Sequence, residues 1–422
     1  MKYSGVEWIG NIPDDWGLVR LKDICVNKKE IAGEKSSKYE RLALTLNGVI
    51  KRAKDDQEGL QPKEFDTYQI LEANDFVFKM IDLQNISTSR VGLSPYTGLV
   101  SPAYIRFAPK TENQFNHFIY YYLLSLWHNC VYNNIAGDGV RSALNATDIG
   151  NLLCPYPIQP IQKKIVNYLN KKTSEIDSLI EIENKQIEKL KEYKQAIITE
   201  TVTKGLNKNV PMIDSGVEWI GKMPANWKRI KLLNLFEDIG SGTTPKGDDY
   251  YTDGTINWIQ SGDINGGFLT SCSSAVNNYA IKEFSTLKVY QAPFLIMAMY
   301  GGSVGHLSIS KIDGCCNQAC CVMRNPKCNF DFAFYSLQAA RNYLLKNAIG
   351  GGQPNISQTI IKSIWFCNPP MNEQEEIASF LNEQCSRIDV LISVKQRKIE
   401  HLNEYKKSLI YEYVTGKKEA MA

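Results

Sequence analysis

The residues of this chain that could do chemistry are polar side chains in short loops. Sequence-specific readout of a nucleic acid uses Arg, Lys, Asn, Gln, Ser and Thr on rigid turns, where they reach base edges and phosphates. Such loops occur in both halves of the chain. The candidate residues for contacts with a nucleic acid are Lys79, Gln84, Asn85, Ser89, Arg90, Arg141, Thr243, Thr244, Lys246, Gln260, Ser261, Tyr300, Ser303 and Gln353.

Each of these residues has a plain alternative, because polar side chains in loops are usually just solvated. Arg141 and Gln353 lie in the matched phrases Gly137–Leu144 and Gly350–Ser357, which close two variable segments of the chain. These two residues could therefore serve the structure alone.

Sequence motifs of catalysis are not found. Asn368–Met371 is similar to the Asn-Pro-Pro-aromatic motif of amino-methyltransferases, but Met371 replaces the aromatic residue and no Gly-rich cofactor turn accompanies it. The sequence contains no G-x-x-x-x-G-K-[ST] phosphate loop and no G-x-S-x-G nucleophile elbow. We therefore predict no catalytic residue in this chain.

A cluster of cysteines comprises Cys315, Cys316, Cys320, Cys321 and Cys328. Zinc sites usually pair their cysteines as C-x-x-C, whereas adjacent cysteines point to opposite faces of a strand. Buried strand thiols are therefore favoured, and we predict no metal site. An odd total of 11 Cys and no apolar leader sequence indicate reduced thiols in a cytoplasmic protein.

The elements that position the loops are repeated along the chain. Ser4–Gly10 recurs letter for letter as Ser215–Gly221, and each copy continues to a Pro and a Trp. Gln162–Thr203 aligns without gaps on Gln374–Thr415, with 19 identities in 42 positions. Residues 20–155 and 231–367 align poorly with each other. The chain is therefore a tandem duplication in which one scaffold carries two different inserts.

The second repeated block predicts long helices, since it is rich in Lys, Glu, Gln, Ile and Leu and lacks Pro and Gly. Ser174–Asp177 fits a capping box and predicts a short helix followed by a long one. Steps of seven residues predict a coiled-coil seam. Its first position holds Leu169, Ile176, Glu183, Leu190, Ile197, Leu381, Ile388, Lys395, Leu402 and Leu409. Its second position is predicted to hold Leu179, Tyr193, Leu391 and Tyr405.

The charges of the two blocks complement each other. Residues 174–206 carry 7 acidic and 5 basic side chains, whereas residues 386–418 carry 4 and 8. We therefore expect the helices to pair with each other, antiparallel and with pseudo-twofold symmetry, and Glu183 to contact Lys395. A helix of about 30 residues is about 45 Å long, so such a pair could hold two domains a fixed distance apart. The alternative is a hairpin that merely joins them.

The variable segments show short apolar runs between Gly, Asp and Asn turns. Strands are predicted at Phe76–Phe78, Ala103–Phe107, Ile256–Ile259, Phe294–Ile296 and Ala319–Met323, and helices at His117–Trp127 and Phe330–Leu345. Each segment is predicted to be a domain of about 135 residues that mixes helices and strands. The fold class is therefore α+β, with two such domains in tandem separated by long antiparallel coiled-coil helices.

Length and composition limit the number of domains and the class of protein that this sequence can form. The 422 residues allow two to four domains, and 43% hydrophobic with 22% charged residues excludes a largely disordered chain. No run approaches the roughly 18 apolar residues that span a bilayer. The net charge of +3 is small for a protein that binds DNA alone, because binding draws on phosphate neutralisation.

Taken together, these residues resemble the specificity subunit of Type I restriction–modification systems. The resemblance is carried by the paired Ser4–Gly10 and Ser215–Gly221 motifs and by the Pro-x-x-x-x-Gln entry to each helix. The Ile-Asp-x-Leu-Ile cores and the Glu-Tyr-Lys…Val-Thr helix ends add to it. Gly240–Pro245 and Gly98–Tyr104 also look like phrases of that family's target-recognition domains.

The resemblance implies a division of the chain into four parts. Residues 1–157 would hold the first motif and target-recognition domain 1, and residues 158–206 the first spacer helix. Residues 207–369 would hold the second motif and target-recognition domain 2, and residues 370–422 the second spacer helix. Each recognition domain would read one half of a split DNA sequence.

The resemblance also implies partners. These are double-stranded DNA, two modification (methyltransferase) subunits and, as an optional further partner, restriction subunits, with no membrane. S-adenosylmethionine, ATP and Mg²⁺ would bind the partner subunits, so this chain is predicted to be non-catalytic and to hold no cofactor. Since its charge is low, the isolated chain is expected to bind DNA poorly.

Two other functions remain open at this point. A coiled-coil scaffold that binds only proteins would show no DNA preference in its assembled complex. A DNA methyltransferase acting alone would bind S-adenosylmethionine as an isolated chain, and the missing cofactor motif disfavours it.

Overall fold

The computed structural model of the chain describes residues 1–56, 64–81, 83, 89–111, 115–135, 143–348 and 355–420. The chain forms two compact units. Unit 1 comprises Met1–Glu183 and Gln396–Ala422, and unit 2 comprises Asn184–Lys395. Among the helices in these ranges, none has the length and apolarity needed to cross a membrane.

The strands are short, as the frequent turn residues predict. In chain order they are Lys2–Tyr3 (β1), Asn11–Ile12 (β2), Gly17–Arg20 (β3), Cys25–Asn27 (β4), Arg41–Thr45 (β5), Gly48–Arg52 (β6), Gln69–Leu71 (β7), Phe76–Phe78 (β8), Val91–Leu93 (β9), Gly98–Val100 (β10), Ile105–Pro109 (β11), Leu153–Tyr156 (β12), Met212–Asp214 (β13), Lys222–Pro224 (β14), Lys228–Lys231 (β15), Phe236–Gly240 (β16), Ile256–Ile259 (β17), Gly267–Leu269 (β18), Ala275–Val276 (β19), Phe294–Ala298 (β20), Leu307–Ser310 (β21), Cys315–Cys316 (β22), Cys320–Pro326 (β23) and Trp365–Asn368 (β24).

The helices include two that are far longer than the rest. In chain order they are Leu21–Ile24 (α1), His117–His128 (α2), Val131–Ile135 (α3), Ala146–Gly150 (α4), Gln159–Lys204 (α5), Leu232–Leu235 (α6), Asn278–Glu283 (α7), Phe330–Ala339 (α8), Arg341–Lys346 (α9), Gln358–Ser363 (α10) and Met371–Val414 (α11). Short 3-10 helices are Gly33–Lys38, Asp248–Tyr250, Ser261–Asp263 and Gly301–Ser303.

Unit 1 contains two four-stranded sheets, with strand orders β6-β5-β10-β7 and β4-β11-β8-β9. Most neighbouring strands are antiparallel, and β5 pairs with β10 in parallel. Aromatic rings of β8, β11 and α2 pack with the beginning of α5 and the end of α11 in one apolar core. The variable segment of this unit is thereby packed against helical segments from both repeats.

Unit 2 contains a five-stranded sheet of order β16-β23-β20-β21-β18 and a three-stranded sheet of order β19-β17-β22. Its main core joins the large sheet to α8, the end of α5 and the beginning of α11. A second core lies between the two sheets and contains Ile259, Phe294 and Cys316. The two inserts therefore differ in sheet order, as their poor sequence alignment predicts.

The repeated motif closes each unit in the same way. Ser4 N–H donates to the Gly10 carbonyl, and Ser215 N–H donates to the Gly221 carbonyl, at 3.0 and 2.9 Å. In unit 1, Pro13 and Trp16 lie against Gly416, and in unit 2 the Trp227 ring lies against Gly205. Each motif is thus packed on the glycine that ends a long helix.

Both long helices are continuous. The predicted break at Ser174–Asp177 is wrong, since α5 runs unbroken from Gln159 to Lys204. A capping residue leaves helical geometry, whereas the Ser174 carbonyl accepts a hydrogen bond from the Ser178 hydroxyl one turn later. Pro160 is tolerated because it lies in the first turn, where its missing N–H would have no partner within the helix.

The first position of the predicted seam is confirmed in the main. Leu169, Ile176, Leu381, Ile388 and Leu409 are buried. The second position is wrong, because Leu179, Tyr193, Leu391 and Tyr405 are 44%, 56%, 50% and 52% exposed. The buried or half-buried residues lie one position later: Thr173, Ile180, Ile187, Lys194, Thr201, Cys385, Ile392, Ile399, Lys406 and Tyr413.

The seam contains Lys194 and Lys406 because each lysine has an acidic partner within its unit. In unit 1, Lys406 Nζ lies 2.6 Å from Asp177 Oδ1, and in unit 2, Lys194 Nζ lies 2.7 Å from Asp389 Oδ2. A lysine can bury its stem in the seam while its charged end reaches the surface. In both units the two helical segments run antiparallel, as predicted. The α+β class with two long helices is confirmed.

The remaining predicted elements are mostly found. Strands at Phe76–Phe78 and Ile256–Ile259 and the helix beginning at His117 are confirmed. The strand predicted at Ala103–Phe107 begins two residues later, at Ile105. The single helix predicted at Phe330–Leu345 is divided at Ala340 into α8 and α9.

The predicted strand thiols are confirmed for Cys315 and Cys316 in β22 and for Cys320 and Cys321 in β23, all of which are buried. Burial raises the pKa of Cys315 and of Cys321 to about 12. Since the thiolate is the reactive form, these side chains are apolar packing groups at neutral pH.

Candidate nucleic-acid interface

Four loops of unit 2 meet at one edge of its two sheets. We name this surface the loop cluster and define it as residues 241–246, 260–263, 299–303 and 317–319. Asn317 N–H donates to the Ile259 carbonyl at 3.0 Å, and Met299 N–H donates to the Ala319 carbonyl at 2.7 Å. The segment 317–319, which crosses from β22 to β23, is therefore fixed between two neighbouring loops.

The loop that follows β16 is packed tightly on this crossing segment. A Cβ atom on Gly242 would lie 1.7 Å from the Cys316 carbonyl oxygen, so only glycine allows this approach. Trp258 Nε1 donates to the Thr243 carbonyl at 3.1 Å, and the Thr244 hydroxyl donates to Gln318 Oε1 at 2.6 Å. Backbone contacts and side-chain hydrogen bonds therefore hold this loop in one geometry.

The structure brings together most of the predicted residues of unit 2. Those that lie in the loop cluster are Thr243, Thr244, Lys246, Gln260, Ser261, Tyr300 and Ser303. Thr244 and Lys246 are exposed, and the other five are half-buried. Gln353 lies outside the described residues. Residues that were chosen by type alone thus lie in loops that hydrogen bonds and close packing bring together.

Some polar groups of the loop cluster are already used inside the protein. Gln260 Nε2 donates to Ser274 Oγ at 3.0 Å. Asp263 accepts from Gln260 N–H at 2.8 Å and from Ser273 N–H at 3.1 Å. Asn317 Oδ1 accepts from Ala319 N–H at 3.0 Å. These contacts make the loops rigid, which lowers the entropy cost of binding a ligand.

In unit 1 the described candidates are less accessible. Ser89 and Arg90 are buried at 1% exposure, and Lys79 is half-buried. Ser89 Oγ donates to the Val91 carbonyl at 2.7 Å, and Arg90 Nη1 donates to the Ile81 carbonyl at 3.4 Å. In this structure these two side chains serve the interior of the domain. Gln84, Asn85 and Arg141 lie outside the described residues.

A buried ion pair organises the same domain. Arg106, whose side chain is fully buried, donates through Nε to Asp75 Oδ2 at 2.5 Å and through Nη2 to Glu72 Oε2 at 2.7 Å. Burial raises the pKa of Asp75, against the opposing effects of the Glu72 N–H and the Arg106 charge. Asp75 and Arg106 were not predicted to pair, since nothing in their spacing along the sequence indicates a contact.

The inter-helix residues have partners within their own units. Glu183 accepts from Lys398 Nζ at 2.6 Å in unit 1, and Lys395 donates to Gln186 Oε1 in unit 2. The contact between Glu183 and Lys395 stays a prediction.

Gln318 is a polar residue of the loop cluster that sequence reasoning missed. Because Cys316 and Cys320 on either side were assessed only as metal ligands or strand thiols, the polar loop between them was not predicted. The usable signal was a short run of polar residues between two apolar strands, which predicts an exposed turn.

Comparison with known proteins decides the family. The model of the Type I restriction modification DNA specificity domain matches the chain twice, over residues 13–192 and 224–403. The chain belongs to this family. It therefore carries two Type I specificity domains, and the prediction that it is a non-catalytic specificity subunit is confirmed by this assignment.

Relatives of known name agree with the Type I specificity family. The chain is 25% identical to the "Putative type I restriction enzyme MjaX specificity subunit" of Methanocaldococcus jannaschii, over 97% of this chain and 95% of that protein. It is 32% identical, over 20% of its length, to the "Type I restriction enzyme MjaVIII specificity subunit" of the same organism.

A solved structure shares the fold of this Type I specificity protein. The match has a TM-score of 0.69 at 14% identity and covers 96% of this chain and 98% of the other. That chain belongs to a structure titled "Structural basis underlying complex assembly and conformational transition of the type I R-M system". At this identity the likeness concerns the fold alone.

Proposed function

We propose that the chain is the DNA-recognition subunit of a Type I restriction–modification complex. It reads a bipartite target through two recognition domains and directs the modification and restriction subunits to it. The observation that carries this proposal is the combination of two Type I specificity domains on one repeated scaffold with unlike inserts. Two copies of one scaffold give two similar placements, and unlike inserts give two different sequences to read.

The loop cluster supports DNA as the ligand. It presents hydroxyl, amide and ammonium groups on loops held by hydrogen bonds and close packing, and these groups are the ones that recognise base edges and phosphates. The proposed contacts of the second domain are those that the sequence predicts there. Those of the first domain stay proposals made from sequence alone.

We assign the remaining roles by the same four-part division as in the sequence analysis. Residues 1–157 and 207–369 each hold a repeated motif and a recognition domain, and residues 158–206 and 370–422 hold the spacer helices. The helices set the distance between the two half-sites and dock two modification subunits. S-adenosylmethionine, ATP and Mg²⁺ bind those partners, and the complex acts in the cytoplasm.

Deletion of the gene tests this proposal. The methylated sites of the host genome are sequenced with the gene intact, deleted and restored. We expect one bipartite methylated motif to vanish on deletion and to return with the gene. An unchanged set of methylated motifs contradicts DNA recognition and favours a scaffold that binds only proteins.

A further inference from the structure

Gln318 differs from the other amide side chains of the loop cluster because most of its hydrogen-bonding groups are not used within the described residues. Gln260 gives its amide nitrogen to Ser274, and Asn317 gives its amide oxygen to the Ala319 N–H. Gln318 is exposed, and within the described residues its side chain makes one hydrogen bond, which it accepts from the Thr244 hydroxyl. Its amide nitrogen therefore makes no hydrogen bond within the described residues.

The contact with Thr244 distinguishes the oxygen of the Gln318 amide from its nitrogen. The distance between Thr244 Oγ1 and Gln318 Oε1 is 2.6 Å, which is typical of an O–H donor on an oxygen acceptor and short for an N–H donor. The amide oxygen thus lies toward Thr244. One lone pair of Oε1 and both N–H groups of Nε2 are left for a ligand.

The backbone under Gln318 is also fixed. The crossing segment has three residues, and hydrogen bonds to Ile259 and Met299 hold its two ends. Ser241 Oγ adds a contact to the Gln318 carbonyl at 3.5 Å. Because the side chain stands on an anchored turn and is oriented by a neighbour, binding costs it little conformational entropy.

We infer that Gln318 reads one adenine of the second half-site, and that Thr244 positions it. A glutamine amide pairs with adenine in the major groove by accepting from N6 through oxygen and donating to N7 through nitrogen. The free lone pair of Oε1 and the N–H groups of Nε2 meet this requirement together. This inference rests on the proposed function, which supplies DNA as the ligand.

The test uses the full chain in its host complex, with the methylated motif as the readout. In Gln318→Ala, we expect one A·T position of one half-site to become degenerate, with discrimination about 5- to 150-fold lower, as for loss of one bidentate base contact. Thr244→Val removes the donor and keeps the shape, so it should relax the same position more weakly. The other half-site and the spacer should stay unchanged.

Gln291→Ala is the matched control, since Gln291 is also exposed but precedes β20, whereas residues 299–303 of the loop cluster follow the other end of that strand. It should leave the motif unchanged. An unchanged motif in Gln318→Ala, or relaxation at a G·C position, contradicts the inference while the proposed function stands. If Gln318→Ala abolishes methylation, the Thr244→Val variant tests the inference instead. One relaxed A·T position in Thr244→Val supports the inference, and an unchanged motif in that variant overturns it. A host that has no gene-dependent motif contradicts the proposed function as well.

Discussion

At the scale of single residues, one glycine joins the first repeated motif to the last helix. Gly416 has φ +70° and ends α11 where Pro13 and Trp16 pack. The letter pattern predicted a repeat, but it could not indicate that the first motif packs on the end of the last helix. Such a contact joins residues that are some 400 positions apart, and no local propensity encodes it.

The substitution Gly416→Ala should destabilise unit 1. Its Cβ would lie 2.3 Å from Pro13 Cδ, and its φ would be strained, so we expect a loss of about 2–5 kcal/mol in the free energy of unfolding by urea. Gly5→Ala is the control, since Gly5 has φ +76° but no neighbour within 4 Å of a Cβ. It should lose about 1–2 kcal/mol. Equal losses would contradict the packing role of Gly416.

His128 should make the protein sensitive to acid. Burial lowers its pKa to about 4 from 6.5, and the Lys407 and Lys406 charges act in the same direction. The unfolded chain takes up this proton near pH 6.5, whereas the folded chain does so only near pH 4. The stability contribution is therefore complete above pH 6.5 and is lost as pH falls from 6.5 toward 4.

Urea denaturation of His128→Phe at several pH values checks this expectation. The variant should lose stability less steeply than the wild type between pH 6.5 and 4. His401→Gln, which removes an exposed histidine from α11, should keep the wild-type slope. A wild-type slope in His128→Phe would show that this side chain does not carry the effect.

At the scale of elements, the sequence predicted the two long helices and their antiparallel pairing. The second position of the coiled-coil seam, however, was predicted one residue too early. The choice of Leu179 and Tyr193 followed apolarity. The structure instead places Lys194 in the seam, because Asp389 binds its ammonium group. Hydropathy alone does not predict such a position, whereas the repeated Asp and Lys in both blocks were a signal that an interhelical pair exists.

The pairing of Glu183 is open to a charge-swap experiment. Its carboxylate is nearly buried and binds Lys398, so Glu183→Lys should place like charges together and lower the melting temperature by several degrees. Adding Lys398→Glu should restore much of the loss. Adding Lys395→Glu instead should restore it if the contact predicted from the repeat dominates. Recovery in neither double variant would contradict both pairings.

The candidate site was predictable only in part for a related reason. Residue type identified seven members of the loop cluster, and the order of strands β17, β20, β22 and β23 then decided that they lie together. That order depends on contacts between distant strands, which a single sequence does not fix. The same reasoning placed Ser89 and Arg90 on the surface, although both side chains are buried.

At the scale of the whole molecule, the proposed function gives each half of the duplicated chain one half of a divided target. Each compact unit combines its own insert with helical segments from both repeats. The low net charge of +3 agrees with our proposal that partner subunits supply much of the contact with the phosphates. We therefore expect the isolated chain to bind target DNA weakly and the assembled complex to bind it tightly, as measured by fluorescence anisotropy at one salt concentration.

Under the proposed function each insert reads one half-site, and an exchange of one insert is the sharpest test of this assignment. Residues 231–367 are replaced by the corresponding insert of another specificity subunit, and the methylated motif of the host is sequenced. We expect one half of the bipartite motif to change while the other half is kept. A motif in which both halves change, or in which neither does, would contradict it.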